Sequence, residues 1–165
     1  MKAITILQPW ASLIACGAKQ IETRSWPTKY RGPIAIHAGK GWNMYRRQLT
    51  NQNPFHSALW PKMTKEELAL DGYGRTQLLP VGAVIAIADL VDCVRVKGFD
   101  TFANSPILDR KEWLLQDSKE AAFGDYTIGR YAWILDKVRR IVPVPARGMQ
   151  RIWEWPVEKW RDGNG

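Results

Sequence analysis

The chain has 165 residues, 24 lysines and arginines against 16 aspartates and glutamates, and a formal net charge of +8, with 45% hydrophobic and 24% charged residues. That length supports one core rather than two, and no apolar run approaches the ~20 residues that cross a bilayer, so a single domain over residues 1–165 with no membrane partner is expected. Cys16 and Cys93 are too few for a disulfide framework and have no Cys or His partner at zinc-ligand spacing, which excludes a structural metal and leaves no sign of a cofactor.

Lys2 to Leu7 has the β-branched character of a first strand. Pro9 and Trp10 interrupt the N-terminal apolar run before a signal-peptide core can form, so a cytoplasmic location is expected; a monomer is expected as well. Gln8 and Pro9 open a helix with Trp10, Leu13 and Ile14 at helical spacing, and Gly17 ends it; Cys16 on that helix points to packing rather than catalysis. From Ile21 the period changes to two, which puts Glu22, Arg24 and Trp26 on one face of an extended segment. Pro33 to Ala38 is a strand, with His37 read as a hydrogen-bonded core histidine. A short helix over Trp42 to Leu49 and irregular chain around residues 51–54 form an insertion, followed by a capping box at Thr64 and Glu67 and by breaks at Gly72, Gly74 and Pro80.

Gly82 to Leu90 is apolar on both faces and therefore central, and Val94 and Val96 continue or follow it. Ser105 and Pro106 start a helix carrying Leu108, Trp113 and Leu114; residues 121–130 form a loop. Tyr131 to Leu135 and Val138 to Val142 are two strands flanking a turn near Asp136 and Lys137, and a last strand includes Ile152 and Trp153. Strands with intervening helices and no regular βαβ alternation indicate an α+β fold.

Charge is unevenly spread. Residues 23–65 contain no acid and eight bases, Arg24, Lys29, Arg31, Lys40, Arg46, Arg47, Lys62 and Lys65, while the rest of the chain carries sixteen of each sign. These bases alternate with Trp26, Trp42, Tyr45 and other rings, a pairing that suits a polyanion offering bases to stack on. A solvated basic surface over core aromatics is the competing reading.

Gly17, Lys19, Glu22 and Arg24 spell Gly-x-Lys-x-x-Glu-x-Arg, and with the blocks FGDYTIGRYAWIL (123–135) and PVPARGMQRIW (143–153) the chain resembles the ASCH family. Residues 149–152 depart from the Gly-Leu pair that many relatives carry before Trp. The resemblance implies a PUA-like β-barrel with flanking helices and a nucleic-acid cleft beside the first helix, RNA being favoured over DNA. It adds weight to Lys19 as a phosphate ligand or base. Arg24, Trp26, Lys29, Arg31, Lys40, Arg130 and Tyr131 complete the candidate binding set, with Trp26 offering a stacking surface, Arg31 a forked donor in a loop and Arg130 and Tyr131 an opposite wall.

Two functions from different classes follow. One is a binding module that holds an unstacked or modified base. The other is a hydrolase, since some relatives are amidohydrolases on acetylated cytidine and others have been described as ribonucleases; Lys19 and Glu22 would then act as acid and base. Glu22 stands where that amidohydrolase subgroup has a threonine, and Asp89 is a candidate third residue. A protein-interaction role, as in coactivator relatives, is a third expectation.

Overall fold

A computed structural model describes residues 1–61, 64–66, 70, 72–109 and 118–157. In chain order the elements are β1 (Lys2–Leu7), α1 (Trp10–Ala15), β2 (Ile21–Arg24), β3 (Gly32–Gly39), α2 (Met44–Leu49), α3 (Phe55–Leu59), α4 (Gly72–Thr76), β4 (Ala83–Asp100), β5 (Ser105–Leu108), α5 (Ser118–Ala122), β6 (Tyr131–Pro145) and β7 (Ile152–Glu154). The strands form one mixed sheet in the order β2-β6-β4-β3-β1-β7, with β5 paired to β4. β1 and β3 run parallel, in register from Lys2 and Ile34 to Leu7 and Gly39; all other pairs are antiparallel.

The alternation of β1 and β3 sends Ile4, Ile6, Ile34 and Ile36 to one face, where Ala11, Ile14 and Ala15 of α1 pack on them together with Ile85, Leu90, Trp133 and Leu135. Ala3 and Ala35 face the other way, under Trp153 and Trp155. Burying this apolar surface on both sides of a two-period pattern is what holds the sheet, at roughly 25 cal/mol per Å² removed from water. Gly17 sits at φ +81°, the left-handed turn that ends α1 and sends the chain back toward β2.

Four strand spacings separate β2 from β1 in the order above, about 19 Å if the sheet were flat. Yet Arg24 Nη2 donates to Thr5 O at 2.8 Å. The sheet therefore curls until these two strands face each other across a seam spanned by one side chain. The expected α+β fold with short helices is present, but the expected barrel is not closed: the sheet curls, and among the described residues β2 pairs only with β6 and β7 only with β1.

Four other expectations need correction. Ser105–Leu108 is an edge strand rather than a helix start, Pro106 being tolerated because, among the described residues, only β4 flanks it; Trp113 and Leu114 lie outside the described residues. The two strands flanking a turn are one strand, β6. Between the pairs Ile87↔Arg139 and Asp89↔Asp136 it carries one residue more than β4, and Lys137 has φ +48°, so the turn-like residues form a β-bulge. Gly72 and Gly74 do not break the chain but belong to α4. Cys16, expected to pack, is exposed at the helix end. The capping partner Glu67 and Lys62 are outside the described residues. Among the described residues no helix is long and apolar enough to cross a membrane.

Candidate functional site

The seam opens into a cleft of about 360 Å³ whose lining includes Thr5 and Leu7 of β1, Trp10 of α1, Glu22, Thr23 and Arg24 of β2, Tyr45 and Leu49 of α2, and Asp125. Strand β1 pairs with β7 only as far as Ile4, so beyond that point its outer edge is available to form the cleft floor. Glu22 Oε1 lies 3.0 Å from Arg24 Nε. The pair presents a carboxylate and a forked guanidinium side by side, the acceptor and donor set that reads polar ring edges. Tyr45 is 63% exposed, so its ring is free to meet a ligand.

The opposite lip is held by its own network. Asp125 takes hydrogen bonds from Thr127 Oγ1 at 2.5 Å and Thr127 N at 3.1 Å, and Arg130 Nε lies 3.2 Å from its carboxylate. The Thr127 bonds, with Arg130 adding its charge, keep the Asp125 carboxyl below its usual range. Arg130 also donates to Thr23 O at 3.2 Å, tying the lip to β2.

Lys19 does not line this cleft. It is 1% exposed; its Nζ donates to Ile21 O and lies 3.8 Å from Glu120 Oε1. Glu120 also accepts from Gln20 N at 2.8 Å and Ile21 N at 3.1 Å. Burial lowers the Lys19 pKa and raises that of Glu120, while Tyr126, 3.5 Å from the carboxylate, is pushed up by burial as well. The ammonium is thus a tie between the end of α1, β2 and α5.

The other candidates separate in space. Arg31 Nη2 donates to Asp92 Oδ1 at 2.8 Å, its fork taken up by that carboxylate and by the carbonyls of Thr28 and Tyr30. Trp26 packs edge-on against Trp133, ring centroids 4.7 Å apart, beneath the Arg151 guanidinium. Tyr131 is the cross-strand neighbour of Arg24. Lys29 is exposed on the β2–β3 loop. Asp89 of β4 pairs with Asp136 of β6 and is not in the cleft lining. Lys40 lines a second, larger hollow with His37 and Arg147.

A model of the ASCH domain matches residues 4–144. The chain belongs to the ASCH domain family. Over 96 residues this ASCH domain is 31% identical to activating signal cointegrator 1 of Mus musculus and 30% identical to that of Homo sapiens. Each match covers 58% of this chain but only 15% of the relative. The crystal structure of ASCH from Zymomonas mobilis superposes with a TM-score of 0.51 at 15% identity, over 97% of this chain and 90% of that one. A mutant of the Zymomonas protein gives 0.50 at 16% identity, covering 98% and 94%. At these identities the likeness speaks for the fold.

Tyr45, named in sequence only among the rings that alternate with the bases, and Asp125 are cleft residues of this ASCH domain outside the candidate binding set. Tyr45 comes from the insertion, which the family blocks leave out. Asp125 lies within the 123–135 block, where an acid after glycine and before a hydroxyl, Gly124-Asp125-Tyr126-Thr127, is the available signal.

Proposed function

We propose that this ASCH domain binds single-stranded or flipped-out nucleic acid and holds one unstacked base in the seam cleft. The observation that carries the reading is the Glu22–Arg24 pair at 3.0 Å in a hollow that also exposes the Tyr45 ring. Glu22 has acceptor capacity for an exocyclic amine, Arg24 supplies donors, and Tyr45 and Trp10 offer planar walls. The volume lies at the low end of ordinary ligand pockets, in keeping with a single nucleoside unit. The basic excess supplies salt-dependent attraction for the phosphates.

Hydrolysis of acetylated cytidine or RNA is the second reading, and the site favours it less. An acid–base role for Lys19 needs an accessible ammonium, and this one is buried on Ile21 O and Glu120. The deciding experiment is titration of labelled single-stranded oligonucleotides with wild type and Glu22→Gln over a range of salt, alongside incubation with N4-acetylcytidine. Binding that weakens with salt, with at least fivefold loss in the variant and no turnover, is expected. Turnover abolished by Lys19→Ala would replace this reading with the hydrolase.

A further inference from the structure

On the far side of β1 lies the second hollow, about 960 Å³, lined by Thr5, His37, Gly39, Lys40, Gly82 and the segment 145–150. It shares Thr5 and Leu7 with the seam cleft, so the free edge of β1 is the ridge between them. Thr5 serves both sides: its carbonyl accepts from Arg24 in the seam, and its hydroxyl lies beside Gly148, which lines the second hollow.

The floor of this hollow has unmet hydrogen-bonding capacity. His37 is 2% exposed, and its Nε2 sits 3.0 Å from Ala146 O. A carbonyl can only accept, so Nε2 carries the proton and Nδ1 is a lone-pair acceptor; burial lowers the pKa of the ring and keeps it neutral. Nδ1 and Thr5 Oγ1 are both buried without a hydrogen-bond partner, a costly condition that a hydroxyl donating to the first and accepting from the second would relieve. At the rim, Lys40 and Arg147 are exposed, and among the described residues neither has a carboxylate within salt-bridge distance.

We propose that this second hollow is a sugar-phosphate subsite for the nucleotide next to the one held in the seam, with His37 and Thr5 receiving a ribose 2′-hydroxyl and Lys40 and Arg147 the phosphate. The inference rests on the nucleic-acid reading and makes it specific for RNA, because DNA has no hydroxyl to offer the two unmet atoms. Gly148 covers both atoms: a Cβ there would lie 2.7 Å from Nδ1 and 2.8 Å from Oγ1. Ala146 is anchored to Gly82 O and to His37, but among the described residues no hydrogen bond holds 147–150, so the subsite requires that short segment to lift off the two atoms when the sugar enters.

The test is fluorescence anisotropy with a labelled single-stranded RNA hexamer, the DNA hexamer of matching sequence and the 2′-O-methyl RNA. RNA is expected to bind about tenfold more tightly than either of the others. Thr5→Val, which removes the hydroxyl and keeps the carbonyl, should bring the RNA-to-DNA affinity ratio down to about one. Lys40→Gln and Arg147→Gln should each reduce the slope of log K against log salt by about one. Equal affinity of wild type for RNA and DNA, or loss of both ligands alike in Thr5→Val, overturns the subsite. If binding of both also depends on Glu22, the seam reading survives that result; if no oligonucleotide binds, both fall. The 2′-O-methyl probe tests the inference without any variant having to fold.

Discussion

Lys19→Met removes the ammonium from a site where almost nothing can replace it. The side chains of Lys19 and Glu120 are 1% and 6% exposed and lie 3.8 Å apart, so the substitution leaves a buried carboxylate held, among the described residues, by Gln20 N, Ile21 N and Tyr126. Breaking one side of a buried pair costs about 3–5 kcal/mol. With a urea slope of about 2 kcal/mol/M, the unfolding midpoint should fall by about 2 M at pH 7. Removing both charges in Lys19→Met/Glu120→Gln should recover most of that loss, because the desolvation of two ions disappears together with their attraction. Glu120 already has a folded pKa raised by burial, and Lys19, which opposes that rise, is gone in the single variant. A carboxyl with a raised folded pKa imposes no penalty below its unfolded pKa and an increasing one as pH climbs through the folded value. The deficit of Lys19→Met relative to wild type should therefore shrink at pH 4. Urea melts of wild type, Lys19→Met, Glu120→Gln and the double variant at pH 7 and pH 4 decide it. A single-variant loss below about 1 kcal/mol, or a double variant no better than the sum of the singles, refutes the buried tie.

Gly148→Ala would place a Cβ 2.5 Å from His37 Cε1 and should cost about 1–3 kcal/mol in urea denaturation through overpacking; unchanged stability would mean the segment does not rest on His37. Asp92→Asn should cost about 1 kcal/mol, a modest figure because the Arg31 partner is 39% exposed, while Arg31→Gln should change oligonucleotide affinity less than twofold, read by anisotropy. Cys16 is exposed and Cys93 half-buried, with burial raising the pKa of the Cys93 thiol; a thiol reagent at pH 8 should therefore modify Cys16 first, and Cys16→Ser should leave one slow phase.

The parts of this fold readable in sequence are those whose pattern is local. Alternating Ile4 and Ile6, the Trp10-to-Gly17 helix and the doubly apolar run from Ala83 announce β1, α1 and β4 because burial imposes its period directly on the side chains. Ser105-Pro106 misleads because the same pair that opens a helix also suits an edge strand, and only the presence of β4 beside it decides. Asp136-Lys137 misleads because a bulge and a turn use the same residue types. In the site, Glu22 and Arg24 were legible from their spacing on one strand. The role of Lys19 was not: its position after a helix end suggests an exposed cation, and the carboxylate that buries it lies 101 residues away.

Ala38 and Ala83 are direct partners in the β3–β4 ladder, and Gly82 N donates to Ala38 O at 2.7 Å. The whole excursion between them leaves and returns through one rung, like a drawer set into a cabinet. It contributes Tyr45, Leu49 and Phe55 to the seam cleft, yet its closure entropy grows only by about 0.6 kcal/mol for each doubling of length. The architecture thus separates what must stay fixed from what can be traded: an engineer could graft a different excursion at this rung and reshape ligand choice while the curled scaffold is left alone.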